Sequence, residues 1–208
     1  MPSADYIKLY PENPSPRHLN TIVDCLRKGG LIIYPTDTVY GLGCDITHTK
    51  ALQRLAQIKG VKLEKANWSF ICPDLSRLSE YTRQMDNSTF KLLKRCLPGP
   101  YTFILPGSND LPKVFKKKKT VGIRVPDHSI PQAIVTQLGN PIVSTSIHDT
   151  DEILEYTTDP ELIYERWQNR VDIVIDGGYG GNIPSTIIDV SGEGPEVIRE
   201  GKGSLDML

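Results

Sequence analysis

Short runs of β-branched and aromatic residues alternate along this chain with segments of helical periodicity, and that alternation constrains the fold more than any other feature. LIIYP, WSFIC, YTFIL, TVGIRV, PIVSTS, VDIVID and STIIDV read as strands. Between them, apolar residues recur at helical spacing near residues 48–59, 86–97, 129–138 and 159–169. An earlier helix is bracketed by Ser15 and Pro16 at its start and by Gly29 and Gly30 past its end, with Ile22, Val23 and Leu26 on its apolar face. The pattern predicts an α/β architecture on a twisted mixed sheet. Several runs are apolar at both parities, as strands covered on both faces are, and the spacing near the C-terminus is that of a hairpin.

A chain of 208 residues buries enough surface for one core, and no repeat, linker or low-complexity tract divides it, so one domain over residues 1–208 is expected. Hydrophobic residues at 38% and charged residues at 24% exclude a disordered or collagen-like chain. No apolar run reaches the ~20 residues of a spanning helix, and MPSADYIKLYPENPSP lacks the order of a secretory signal, so the expected location is cytoplasmic. Cys25, Cys44, Cys72 and Cys96 form no C-x-x-C pair and are expected to be reduced thiols. A net charge of -1 excludes a uniformly basic nucleic-acid binder and leaves room for a local basic groove.

Polar residues gather where strands end. In YPTDTVYGLGCD, Thr36, Asp37 and Thr38 follow a buried strand, and Gly41 and Gly43 come next; the segment reads either as a capped turn or as a loop that approaches a ligand closely. Lys59, Lys62 and Lys65 would make a solvated basic loop or neutralise a polyphosphate, and Lys116 to Lys119 form an exposed loop or rim. Arg124 lies inside the apolar strand TVGIRVP and needs an anionic partner, from the protein or from a substrate carboxylate. Ser144, Thr145 and Ser146 end another strand, where hydroxyls cap helices or bind phosphate. Ser185 and Thr186 start a strand, Arg199 stands beside glycines at the end of the next, and GGYGG at 177–181 is a loop of unusual backbone angles able to close over a ligand. There is no G-x-S-x-G, Walker A or G-x-G-x-x-G signature. Hydroxyls, cations and glycines suit electrostatic and positional catalysis on a phosphate-bearing substrate.

YPTDTVYGLG, the helix ending in IKG, LPGPYTFIL, TVGIRVP, STS, PSTIID and VIREGKG fall in the order and spacing of the YrdC-like family, which includes the threonylcarbamoyl-AMP synthases; the resemblance covers about residues 17–203. Within it, SFICPDLS and STSIHD resemble the YciO branch, and the end soon after VIREGKG resembles the minimal form without a further C-terminal domain. The resemblance implies a single-domain YrdC-like fold whose sheet encloses a basic cavity. It implies an enzyme that converts ATP, bicarbonate and L-threonine into threonylcarbamoyl-adenylate and pyrophosphate, for the threonylcarbamoyl modification of tRNA. Carried onto this sequence, Thr36, Thr38 and Ser185 face the amino acid and Arg124 holds its carboxylate. Lys59, Thr120, Ser144, Ser146 and Arg199 hold the nucleotide, with magnesium on the triphosphate, and Lys59, Arg124 and Ser146 stand at the reacting centre.

Three positions depart from the family pattern. Val61 replaces the arginine two residues after the lysine, His148 replaces the asparagine after the serine, and Cys72 aligns with a histidine near the amino-acid subsite. Fold and nucleotide binding tolerate such changes better than threonine specificity does. The rival expectation is a double-stranded RNA or tRNA-binding module that uses the same basic concavity, with Lys116 to Lys119 on its rim, and performs no adenylation.

Overall fold

A computed structural model of the chain describes residues 3–115, 117, 119–147 and 155–208. The strands are β1 (Asp5–Lys8), β2 (Ile32–Tyr34), β3 (Gly41–Asp45), β4 (Ser69–Ile71), β5 (Tyr101–Pro106), β6 (Thr120–Arg124), β7 (Ile142–Ser146), β8 (Ile173–Asp176), β9 (Thr186–Asp189) and β10 (Glu196–Arg199). The helices are α1 (Pro16–Arg27), α2 (Thr49–Ile58), α3 (Asn87–Cys96), α4 (Ser129–Leu138), α5 (Glu155–Thr158) and α6 (Pro160–Trp167). All ten strands form one mixed sheet in the order β1-β8-β2-β3-β7-β4-β6-β5-β9-β10. The pairs β1/β8, β2/β8, β4/β6 and β5/β9 are parallel, and β9/β10 is the antiparallel pair expected near the C-terminus. Among the described residues no helix is long and apolar enough to cross a membrane.

Strand alternation divides the core. Leu42, Phe70, Phe103, Ile123 and Val143 belong to one buried cluster, together with residues of α2, α3 and α6. Ile32, Tyr34, Ile71, Ile142 and Ile175 belong to another, with Leu19, Ile22 and Leu26 of α1 and Ile130, Ile134 and Leu138 of α4. The face that α1 and α4 cover over β8, β2 and β7 changes character further along the sheet. There it carries Ser69, Thr102 and Arg124 at the same parity, and no apolar helix face can seal such residues.

The structure differs from the sequence reading at GLGCD, which is not a loop but the central strand β3. A Cβ on Gly41 would come within 2.9 Å of the Tyr34 ring and 3.2 Å of Ser144 Oγ, and one on Gly43 within 2.4 Å of Ile142 Cγ2. The two glycines let β3 pass beneath a bulky tyrosine, while Leu42 and Cys44 at the other parity are fully buried. The expected GGYGG loop has one left-handed residue, Gly178 at φ 92°. It is tied down: Tyr40 donates to the Gly178 carbonyl, and the Gly181 amide donates to the Thr38 carbonyl.

Candidate functional site

A cavity of about 250 Å³ opens on the polar stretch of the sheet. Its wall takes Gly41 from β3, Ser69 and Ile71 from β4, Thr102 from β5, Arg124 from β6, Ser144 and Ser146 from β7, Ile187 from β9 and Arg199 from β10, with Ser185 just before β9. Seven of the ten strands contribute, because the antiparallel β4/β7 pair and the parallel β4/β6 pair bring Ser144 and Arg124 beside Ser69 and Ile71.

Arg124 is 8% exposed, and its partner is a protein carboxylate: Nη2 donates to Asp37 Oδ1 at 2.6 Å. The same nitrogen donates to Thr36 Oγ1 at 3.1 Å and to Thr38 Oγ1. Thr36 in turn donates to the Val39 carbonyl and accepts from the Thr38 amide, so PTDT is a self-capped turn that also grips the arginine. Nε is sealed from solvent without an acceptor. Nη1 makes no hydrogen bond among the described residues and is not sealed, so it is the nitrogen left for a ligand.

Across the cavity, Arg199 Nη2 and Nε donate to the Ser185 carbonyl at 2.7 and 3.2 Å. Among the described residues no carboxylate lies within 4.0 Å of Arg199. Desolvation and then the nearby Arg124 charge pull its pKa below the ordinary arginine value. Two guanidinium groups line one cavity, and among the described residues the one carboxylate paired with either, Asp37 on Arg124, stands outside its wall, so the cavity favours an anion. Hydroxyls complete the wall. Ser185 and Thr102 share a hydrogen bond of 2.8 Å, and Tyr34 donates to Ser144 at 2.5 Å. Lys59, at the C-terminal end of α2, reaches the rim, where Nζ donates to the Ser146 carbonyl at 3.2 Å.

A second cavity of about 140 Å³ continues from the first, sharing Asn67, Ser69, Thr102 and Ile187 with it. Trp68, Ile104, Phe115 and Val121 make it apolar. Of the expected site residues, Arg124, Ser144, Ser146, Ser185 and Arg199 meet in the polar cavity, Lys59 stands at its rim, and Thr120 lines the apolar annexe. Thr36 and Thr38 do not reach the wall; they are buried behind Arg124. Val61 is 43% exposed, and neither it nor the exposed Lys62 and Lys65 joins the wall. Cys72 needs a correction. Alternation sends Ser69 and Ile71 to the polar cavity, and Cys72 lines a separate cavity of about 220 Å³ with Arg77 and Pro141. Burial pushes its thiol up to about 12. His148, Lys116 and Lys118 lie outside the described residues; Lys117 and Lys119 are exposed.

Residues 24–201 match the profile of the Sua5/YciO/YrdC family, whose description is telomere recombination. The chain belongs to that family. A Sua5/YciO/YrdC relative, the uncharacterized protein YciO of Escherichia coli K12, is 42% identical over 97% of this chain and 98% of its own. The crystal structure of E. coli YciO superposes with a TM-score of 0.89 over 98% of both chains at 41% identity. The threonylcarbamoyl-AMP synthase of Bacillus subtilis is 31% identical over 85% of this chain and 51% of its own. P. abyssi Sua5, solved in complex with L-threonine, gives a TM-score of 0.83 at 25% identity, over 95% of this chain and 58% of that one. Within this family fold, sequence reasoning assigned no role to Asp37, Ser69 or Thr102. Thr102 was readable as the polar member of an alternating strand, between the buried Tyr101 and Phe103.

Proposed function

We propose that the chain is a nucleotidyl-transferring enzyme of the threonylcarbamoyl-AMP synthase type. The observation that carries this reading is the convergence of Arg124 and Arg199, the latter with no carboxylate partner among the described residues, on one hydroxyl-lined cavity that adjoins an apolar annexe. Relatives named threonylcarbamoyl-AMP synthase at 29–31% identity, and the Sua5 structure with L-threonine, support the same chemistry. The amine of L-threonine and bicarbonate condense to a carbamate with loss of water. A carbamate oxygen attacks the α-phosphorus of ATP, the bond to the β,γ-phosphates breaks, and pyrophosphate leaves. Arg199 and Lys59 neutralise phosphate oxygens, Arg124 Nη1 meets the threonine carboxylate, and the hydroxyls of Ser144, Ser146 and Ser185 orient the reacting groups. The annexe, with Trp68, Phe115 and Thr120 on its wall, suits a planar base. Magnesium arrives with the triphosphate, as part of the substrate.

The deciding experiment incubates the protein with ATP, magnesium, bicarbonate and L-threonine, beside a panel of other amino acids, and searches by mass spectrometry for the acyl adenylate. A threonine-dependent adenylate is expected. No adenylate with any amino acid, together with salt-sensitive binding of double-stranded RNA or tRNA that ATP leaves untouched, would replace this reading with that of an RNA-binding module.

A further inference from the structure

The Asp37 carboxylate stands behind Arg124, outside the cavity wall, and is 8% exposed. One of its oxygens accepts from Arg124 Nη2 at 2.6 Å, and the other accepts from the Asp127 amide at 3.1 Å. Its own carbonyl accepts from Lys202 Nζ, and the neighbouring hydroxyls of Thr36 and Thr38 meet the same Nη2. The guanidinium is therefore pinned at one nitrogen by three oxygens, sealed at the second, and open only at the third. A planar fork pinned in this way cannot turn its two-nitrogen edges toward a ligand.

We propose that Asp37 is a positioning residue: through Nη2 it fixes the plane of Arg124 so that Nη1 alone meets the ligand's anionic group, and it sets carboxylate affinity without touching the ligand. This rests on the reading of the ligand as an amino acid with a free carboxylate. Asp37→Asn is the informative change. Both carboxylate oxygens face donors, and an amide offers one acceptor, so whichever way it turns a donor meets a donor. The turn itself keeps its backbone bonds to Thr36 Oγ1 and the bond from Lys202 to the Asp37 carbonyl.

Two readouts test the proposal. In the ligand-free protein, the ¹⁵N-labelled Arg124 Nε–H, assigned by its loss in Arg124→Lys, should exchange slowly in the wild type and at least about tenfold faster in Asp37→Asn. By calorimetry, Asp37→Asn should weaken L-threonine about tenfold, leave L-threoninamide nearly unchanged and keep ATP within about twofold. An Arg124 signal as protected as in the wild type, or a lost signal with unchanged threonine affinity, overturns the proposal. If the wild type binds no L-threonine, the function proposed above falls, and the exchange measurement still decides whether Asp37 orients Arg124. Should Asp37→Asn fail to fold, Thr38→Val, which removes one acceptor from Nη2 at constant volume, is read in the same two ways with a smaller expected effect.

Discussion

Replacing Arg199 with methionine should separate ligand affinity from stability. The side chain makes three hydrogen bonds, two to the Ser185 carbonyl and a long one of 3.5 Å to Ser185 Oγ, and no carboxylate among the described residues compensates its charge. Losing those bonds costs about 1 kcal/mol net, because water can enter where the exposed Arg199 side chain stood and reach the otherwise buried Ser185 carbonyl. Against that stands a partly desolvated cation beside Arg124, whose folded-state pKa is lowered; arginine is charged at every working pH, so the penalty is always present and the variant removes it. The two effects nearly cancel, so urea unfolding of Arg199→Met should stay within about 1 kcal/mol of the wild type. Affinity for magnesium-ATP should change far more. A charge-assisted contact to phosphate is worth roughly 1.5 to 3 kcal/mol, which predicts a loss of about 10- to 150-fold by calorimetry. The loss should shrink as salt is raised, since this arginine is solvent-accessible. Unchanged ATP affinity would refute the anion site; a stability loss above about 3 kcal/mol would refute the argument that Arg199 is held for a ligand and not for the fold.

Gly41→Ala should destabilise the protein by about 1–3 kcal/mol, because the new methyl would lie 2.9 Å from the Tyr34 ring and 3.2 Å from Ser144 Oγ; adding Tyr34→Phe, which removes the crowding hydroxyl, should recover part of it, and an unchanged urea midpoint would refute the close approach. His128 caps α4 by accepting from the Ile130 amide, and burial lowers its pKa against the opposing pull of Asp37 and Asp127. The folded state therefore resists a proton that the unfolded chain takes up near pH ~6.5, so stability is intact above that value and falls as the pH drops toward the depressed folded value. His128→Asn keeps a capping oxygen without the titration, and its stability should decline less than the wild type's between about pH 7 and 5; parallel curves would show that His128 does not carry the dependence.

The parts of this structure that one strand or one helix decides were readable from the sequence. Ile32–Tyr34, Tyr101–Pro106 and Ile173–Asp176 announce themselves by β-branched and aromatic side chains, and α4 runs from Ser129 to Leu138, the predicted span. β3 was hidden because its two glycines signal a turn locally, and only the bulk of Tyr34 and Ser144 at Gly41 and of Ile142 at Gly43 explains why nothing larger fits. What several strands decide together was harder. The cavity exists because Thr102 pairs in register with Ile187 while Ser69 pairs with both Gly122 and Ser144, contacts between segments far apart in sequence. A step of one residue exchanges the faces of a chain leaving a strand, so Ile71 lines the polar cavity and Cys72 lines a separate one. Arg124 marks the boundary of such reasoning. Its need for an anion followed from an arginine in an apolar strand, but a carboxylate 87 residues away, in the turn after β2, and a carboxylate on a substrate satisfy that need equally well on paper. Only the positions of Nη1, Nε and Nη2 distinguish them: the protein's own Asp37 holds one side of the guanidinium so that the other can be offered to a ligand.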